Sequence, residues 1–291
     1  MDRLLLDVGY GFVTAAILAL SAVAFTLEYA VSRVANLAHG ELLTIGAFTA
    51  YLVQQSTGNI VLAAVSAAAA GGLAALLTNV LFIERFARQP PLVTLIASLG
   101  ISLVLQNVLV MIFGASSRAY TIKQGAPHHY GPFQFTHAEL LVVLSALVIV
   151  LLLYILLQRT RFGKAVRAVA ENRDLARASG IKATRVIAQT WLLAGVIAGF
   201  AGFVLAENIG AFSPSFGNGY LLITITAAVA GGLGRPYGTL IGAFIVGLAL
   251  ELAGSYTNSS YELAFAFAIL VILILTRPNG LLVRGSRTVT L

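Results

Sequence analysis

The sequence predicts an all-α polytopic membrane protein with about 8–9 transmembrane segments, a helical cytoplasmic loop and one broken or re-entrant helix pair. Three observations carry this. Hydrophobic residues make up 59% of the 291 and charged residues only 10%, whereas a soluble domain carries roughly a quarter charged. Charge-free runs recur at the length of about 20 residues that crosses a bilayer. The net charge of +7 is concentrated in one interval, Arg159–Arg185, which holds eight of the eighteen Lys and Arg against Glu171 and Asp174, so +6 lies there. A basic island between apolar runs marks a cytoplasmic loop under the positive-inside rule. It also accounts for the high isoelectric point without nucleic acid, since the island lacks interleaved aromatics.

The elements follow in order. Val8–Leu27 is the first span; it has no Ala-x-Ala cleavage pattern after it and reads as retained. Leu42–Ile83 has no charge and is long enough for two spans, with Gln54–Asn59 as the turn. Glu84–Pro91 is a short polar break, and Leu92–Gly114 the fourth span. Ala115–His137 is a long polar connection. Leu140–Gln158 and Val186–Ala206 flank the island, and Glu207–Gly219 is a loop. Tyr220–Leu233 and Thr239–Ala253 are apolar but short and are separated by Gly231–Gly238, so they read either as two spans or as a re-entrant pair. Glu262–Thr276 closes the series.

Counting outward from a cytoplasmic island puts Arg33, Arg85, Arg88, Arg235, Arg277, Arg284 and Arg287 inside and the N-terminus outside. Arg118 and Lys123 dissent, on a long external loop where the rule is weaker. All 291 residues form one transmembrane domain, with 159–185 as its cytoplasmic loop.

Within the island, Phe162, Val166 and Val169 recur at i, i+4 and i+7 and predict a first helix with a narrow apolar face. Asp174 is placed to cap a second helix, which Gly180 would end. Small residues (Gly163, Ala165, Ala168, Ala176) allow close approach of another protein, and Arg167, Glu171 and Asn172 supply polar contacts; the alternative is a loop whose charges only fix orientation. No Gly-x-x-x-x-Gly-Lys-[Ser/Thr] segment is present, nor a recognisable catalytic triad, and cysteine is absent. The chain is expected to be no enzyme by itself and to hold no metal or cofactor.

Two features lie in the membrane. Asn36 is placed to cap a helix starting at Leu37, which brings His39 and Glu41 into its first turn at the cytoplasmic boundary; they form either an inner gate or a dipole-matched helix start. The Gly231–Gly238 break is either a tight surface turn or backbone exposed to a solute path. Leu42–Ala50 echoes Leu221–Val229, which suggests two related helices facing each other across a route. Thr44, Thr224, Thr226, Gly231 and Gly232 are its candidate residues. Thr224 and Thr226 diverge by about 200° on one helix and cannot both face it.

Asn36-Leu-Ala-His-Gly-Glu41, Ala97-Ser-Leu-Gly-Ile-Ser102 through Asn107, Arg161-Phe-Gly-Lys-Ala-Val-Arg-Ala-Val-Ala-Glu-Asn172, Ala227-Ala-Val-Ala-Gly-Gly-Leu-Gly234 and Arg277-Pro-Asn-Gly-Leu281 resemble, in order, the LivH-type permease subunits of bacterial ABC importers for branched-chain amino acids. The resemblance implies a bacterial inner-membrane subunit that pairs with a second related permease. It also implies two cytoplasmic ATPases, docked on the island as a coupling-helix loop, and a periplasmic substrate-binding protein. ATP would be hydrolysed by those partners. Permeases for urea, short amides and other amino acids resemble it closely. A secondary transporter or channel without an ATPase is the alternative, disfavoured because Glu28, Glu41, Glu207 and Glu251 fall near predicted span ends.

Overall fold

The computed structural model describes residues 2–86, 89–120, 128–130, 133–256, 261–276 and 280; Arg88, Lys123, Arg277, Arg284 and Arg287 lie outside the described residues. The chain runs α1 (Asp2–Ser32), α2 (His39–Thr57), α3 (Ile60–Thr78), a π-helical turn (Asn79–Ile83), α4 (Glu84–Phe86) and α5 (Pro91–Phe113). A hairpin of β1 (His128–Tyr130) and β2 (Phe133–Phe135) precedes α6 (His137–Arg159), α7 (Arg161–Glu171), α8 (Arg173–Ala178) and α9 (Ala183–Ile209). Then come α10 (Phe216–Gly231), α11 (Pro236–Tyr256) and α12 (Glu262–Thr276).

Local chemistry sets most boundaries. Gly58 ends α2 at φ 67°, and the Asn59 side chain accepts from the N–H groups of Val61 and Leu62 to start α3, so the long charge-free run divides at the predicted turn. Pro91 opens α5, where its missing N–H costs nothing. Thr136 and Glu139 form a reciprocal capping box at the head of α6. The hairpin was not expected: it lies in the long polar connection, and Phe133 and Phe135 cover Gly9 of α1.

Among the described residues, six helices are long and apolar enough to cross a membrane: α1, the α3–α4 stretch, α5, α6, α9 and α11. The helices α10 and α12 are apolar but shorter, and α2 carries His39 and Glu41. The protein is therefore all-helical in its membrane body and multi-pass. The helix pair breaks where expected, between α10 and α11, which pack together, and α11 is long enough to span alone. The turn is tight: Gly232 adopts φ 97°, the Gly232 N–H donates to Val229 O, and the Arg235 N–H donates to Gly232 O.

Helices α1 and α9 form the centre. Leu18, Ala22 and Ala24 of α1 and Trp191, Ala194 and Ala198 of α9 are fully buried. Gly195 and Gly199 of α9 bring its backbone against Ala67, Gly71 and Ala75 of α3, and Gly202 meets Leu43 of α2. Between lipid-facing helices no hydrophobic drive exists, so such small-residue contacts supply the packing. Outward faces of α3, α5, α6 and α12 expose Val65, Leu103, Leu147 and Leu275, as a bilayer-facing shell requires.

The two ends are distinguishable. The Arg118 and Phe212 backbones pair, Ser255 Oγ donates to Asp7 at 2.9 Å, and β2 covers Gly9; these gather the loops assigned to the outside at one end. At the other end Arg33 donates to Ala170 O, and Arg33, Glu84, Gln89 and Arg173 border one cavity. The stretches assigned inside thus share one face.

Candidate functional site

At the cytoplasmic-assigned end, the island folds into α7 and α8. Thr160 Oγ1 accepts from the Gly163 N–H at 3.1 Å to start α7. The side chain of Asn172, not Asp174, caps α8 by accepting from the N–H groups of Asp174 and Leu175, both at 3.0 Å. The two helices abut through that one residue, so the cap falls earlier than predicted and leaves Asp174 in the first turn. Gly180, at φ 82°, stops α8 as expected: its N–H donates to Arg177 O and the Ile181 N–H to Ala176 O, a Schellman closure.

The apolar face predicted for α7 is real, and it turns the small residues inward. Val166 and Val169 are buried, Ala165 and Ala168 pack beside them on the core, and Ala176 is 4% exposed. Gly163 lies against the carbonyls of Leu156 and Leu157 at the end of α6. These four small residues attach the island to its own protein. The outward face instead carries Lys164, Arg167, Glu171, Asn172, Leu175 and Gly180. Arg167 also donates to Leu157 O. Leu175 is 65% exposed on a charged helix, and no periodicity in the sequence marks such a single outward leucine.

The polar cluster in the membrane is more extensive than the sequence indicated. Glu28 of α1 receives Asn36 Nδ2 at 2.8 Å on one oxygen and contacts His39 Nδ1 at 3.0 Å on the other, and all three residues are buried. Asn36 Oδ1 accepts from the Ala38 N–H, so α2 starts at His39 rather than Leu37. Glu41 accepts from Ser102 Oγ at 3.3 Å, and the Leu37 N–H donates to Ser98 Oγ at 3.1 Å. Ser102 lies halfway along α5, so Glu41 sits at the depth of that helix's middle and not at the cytoplasmic boundary. The non-helical 33–38 stretch carries the chain inward before α2 begins. Irregular backbone at such depth is tolerated where protein satisfies it, as Asn36 and Ser98 do here. Glu41 is thus not at a span end, whereas Glu28 lies one turn from the end of α1 as expected. His39 Nε2 and Glu41 Oε2 have no hydrogen-bond partner among the described residues.

The supposed route between α2 and α10 is closed. Gly40 and Gly217 meet backbone to backbone, and Thr44 Oγ1, which donates to Gly40 O at 3.2 Å, lies beside Gly217. Thr224 shares a 2.8 Å hydrogen bond with Ser21 of α1 and donates to Tyr220 O. Thr226 donates to Leu222 O at 2.8 Å and approaches Ala266 O of α12. They diverge as predicted, but each faces a neighbouring helix. Gly231 packs on Gly238, and Gly280 packs on Gly232. Outside the spans, Tyr120 donates to Ala47 O at 2.9 Å, and burial, then the charge of Glu207, pushes its phenol upward, so it stays a neutral donor.

A family described as "Branched-chain amino acid transport system / permease component" matches residues 8–275. The chain is 30% identical to the high-affinity branched-chain amino acid transport system permease protein LivH of Escherichia coli K12, over 91% of each chain. It is 27% identical to the corresponding BraD protein of Pseudomonas aeruginosa, again over 91% of each. The ribose import permease protein RbsC of Bacillus subtilis is 36% identical over 133 residues, 43% of this chain and 41% of that one. Among solved structures, PsaBC from Streptococcus pneumoniae in complex with Fab shares the fold, with a TM-score of 0.52 at 15% identity over 93% of this chain and 91% of that one.

Proposed function

Since the chain belongs to the family of branched-chain amino acid transport permease components, we propose that it forms, with a second related permease, the inner-membrane path of an ATP-driven importer. Two cytoplasmic ATPases seat on the outward face of α7 and α8, and a periplasmic binding protein delivers the solute. ATP is bound and split by those ATPases, and this chain holds no cofactor. The observation that carries the reading is how α7 and α8 are mounted: the buried side supports a basic outer face against the central helices α1 and α9. Force applied to that face reaches the membrane helices through packed side chains rather than a slack loop. The solute class is amino acids, branched-chain in the first place.

Reconstitution tests this. Proteoliposomes holding this chain, a second permease and two ATPases should take up leucine only with ATP and a leucine-loaded binding protein outside. Urea or propionamide taken up in place of leucine would reassign the solute. Leucine uptake by this chain without ATPases would reject the ATP-driven reading.

A further inference from the structure

We propose that the cavity at the cytoplasmic-assigned end, between the π-helical turn, the N-terminus of α5 and α8, is a second binding site for a small zwitterion, an α-amino acid, separate from any transport path. Its volume is about 170 Å³, that of five or six waters at about 30 Å³ each. Its polar border includes Arg33, Asn79, Glu84, Gln89, Thr94 and Arg173. Two guanidiniums suit a carboxylate, because their planar fork matches its oxygens, and one carboxylate suits an ammonium.

Asn79 points to an occupant. It is 1% exposed, and neither its amide nitrogen nor its amide oxygen has a hydrogen-bond partner among the described residues. Leaving a buried amide unpaired is costly, and a ligand that both accepts and donates would satisfy it. The surroundings are unusual as well. Asn79 opens the π-helical turn, a geometry frequent at functional sites, and Arg33 is the non-glycine residue held at positive φ, 58°, among the described residues. Thr94 already donates to Phe86 O, which fixes that wall. The assignment follows from the lining and does not depend on which solute is transported.

Thermal unfolding of the assembled complex, without binding protein or ATP, reads the site directly. Leucine should raise the midpoint of the wild type, and isocaproate (no ammonium) and isopentylamine (no carboxylate) should do so at least roughly tenfold less potently. N79L should raise the ligand-free midpoint, because an unpaired amide is removed, and abolish the leucine shift. Glu84→Gln, on a half-buried side chain, should erase the preference for leucine over isocaproate. No leucine shift in the wild type, or a full shift retained in both variants, would overturn the site. Inorganic phosphate acting as well as leucine would overturn its zwitterion chemistry. None of these outcomes bears on ATP-driven uptake, which is measured separately.

Discussion

Glu28 is fully buried and holds both Asn36 and His39, so the entry of α2 depends on one carboxylate. Removing one partner of a buried polar group leaves the others unpaired, which costs about 3 kcal/mol. Glu28→Ala is expected to lower the unfolding midpoint strongly in detergent, and Glu28→Gln less, since an amide oxygen still accepts from Asn36; equal midpoints for Glu28→Ala and wild type would refute the role. Asn36, His39 and Glu41 could be singled out in the sequence because polar residues beside apolar runs stand out. Their partners could not. Glu41 meets Ser102 across 61 residues, and nothing local to either residue encodes that distance. Thr44, Thr224 and Thr226 were legible as buried hydroxyls, but which neighbour each would face depended on helix rotation that Ala- and Gly-rich sequence leaves undefined.

Helices were legible where a turn residue or an apolar period fixed them, while the N-caps read at Asn36 and Asp174 fell elsewhere. Gln54–Asn59, Pro90–Pro91 and Gly180 fall at the expected stops, and α7 shows its predicted face. Its small residues misled because closeness of approach is the same signal whether the partner is another protein or the chain's own core. Glycine spacing in α9 is the clearest element-level device. A β-carbon on Gly199 would meet the backbone of Ala67 and Gly71, whereas one on Gly219 of α10 would meet nothing within 4 Å. Gly199→Ala should therefore destabilise by about 1–3 kcal/mol through overpacking, while Gly219→Ala should be neutral or slightly stabilising through helix propensity. Paired melts check this, and equal shifts would contradict the account. Asn172→Ala removes the cap that separates α7 from α8; a loss of about 1 kcal/mol and reduced ATPase co-purification are expected.

For the whole molecule, alternation of charge-free runs with basic loops predicted the class and a two-sided arrangement, and the structure gathers the loops by those two sides. What composition could not convey was depth: Asn36–Glu41 reads as a boundary in sequence because it is polar, yet it leads inward from Glu28, one turn from the end of α1, to Glu41, beside the middle of α5. The proposed importer requires α7 and α8 to present a cytoplasmic seat for its ATPases. Cysteine is absent, so Leu175→Cys supplies a single reporter on that face. Labelling with an impermeant maleimide is the measurement. Reaction is expected in inside-out vesicles stripped of ATPases, none from outside in intact spheroplasts, and shielding once the ATPases are restored. Reaction from the outside, or unchanged reaction with the ATPases bound, would contradict the proposed seat.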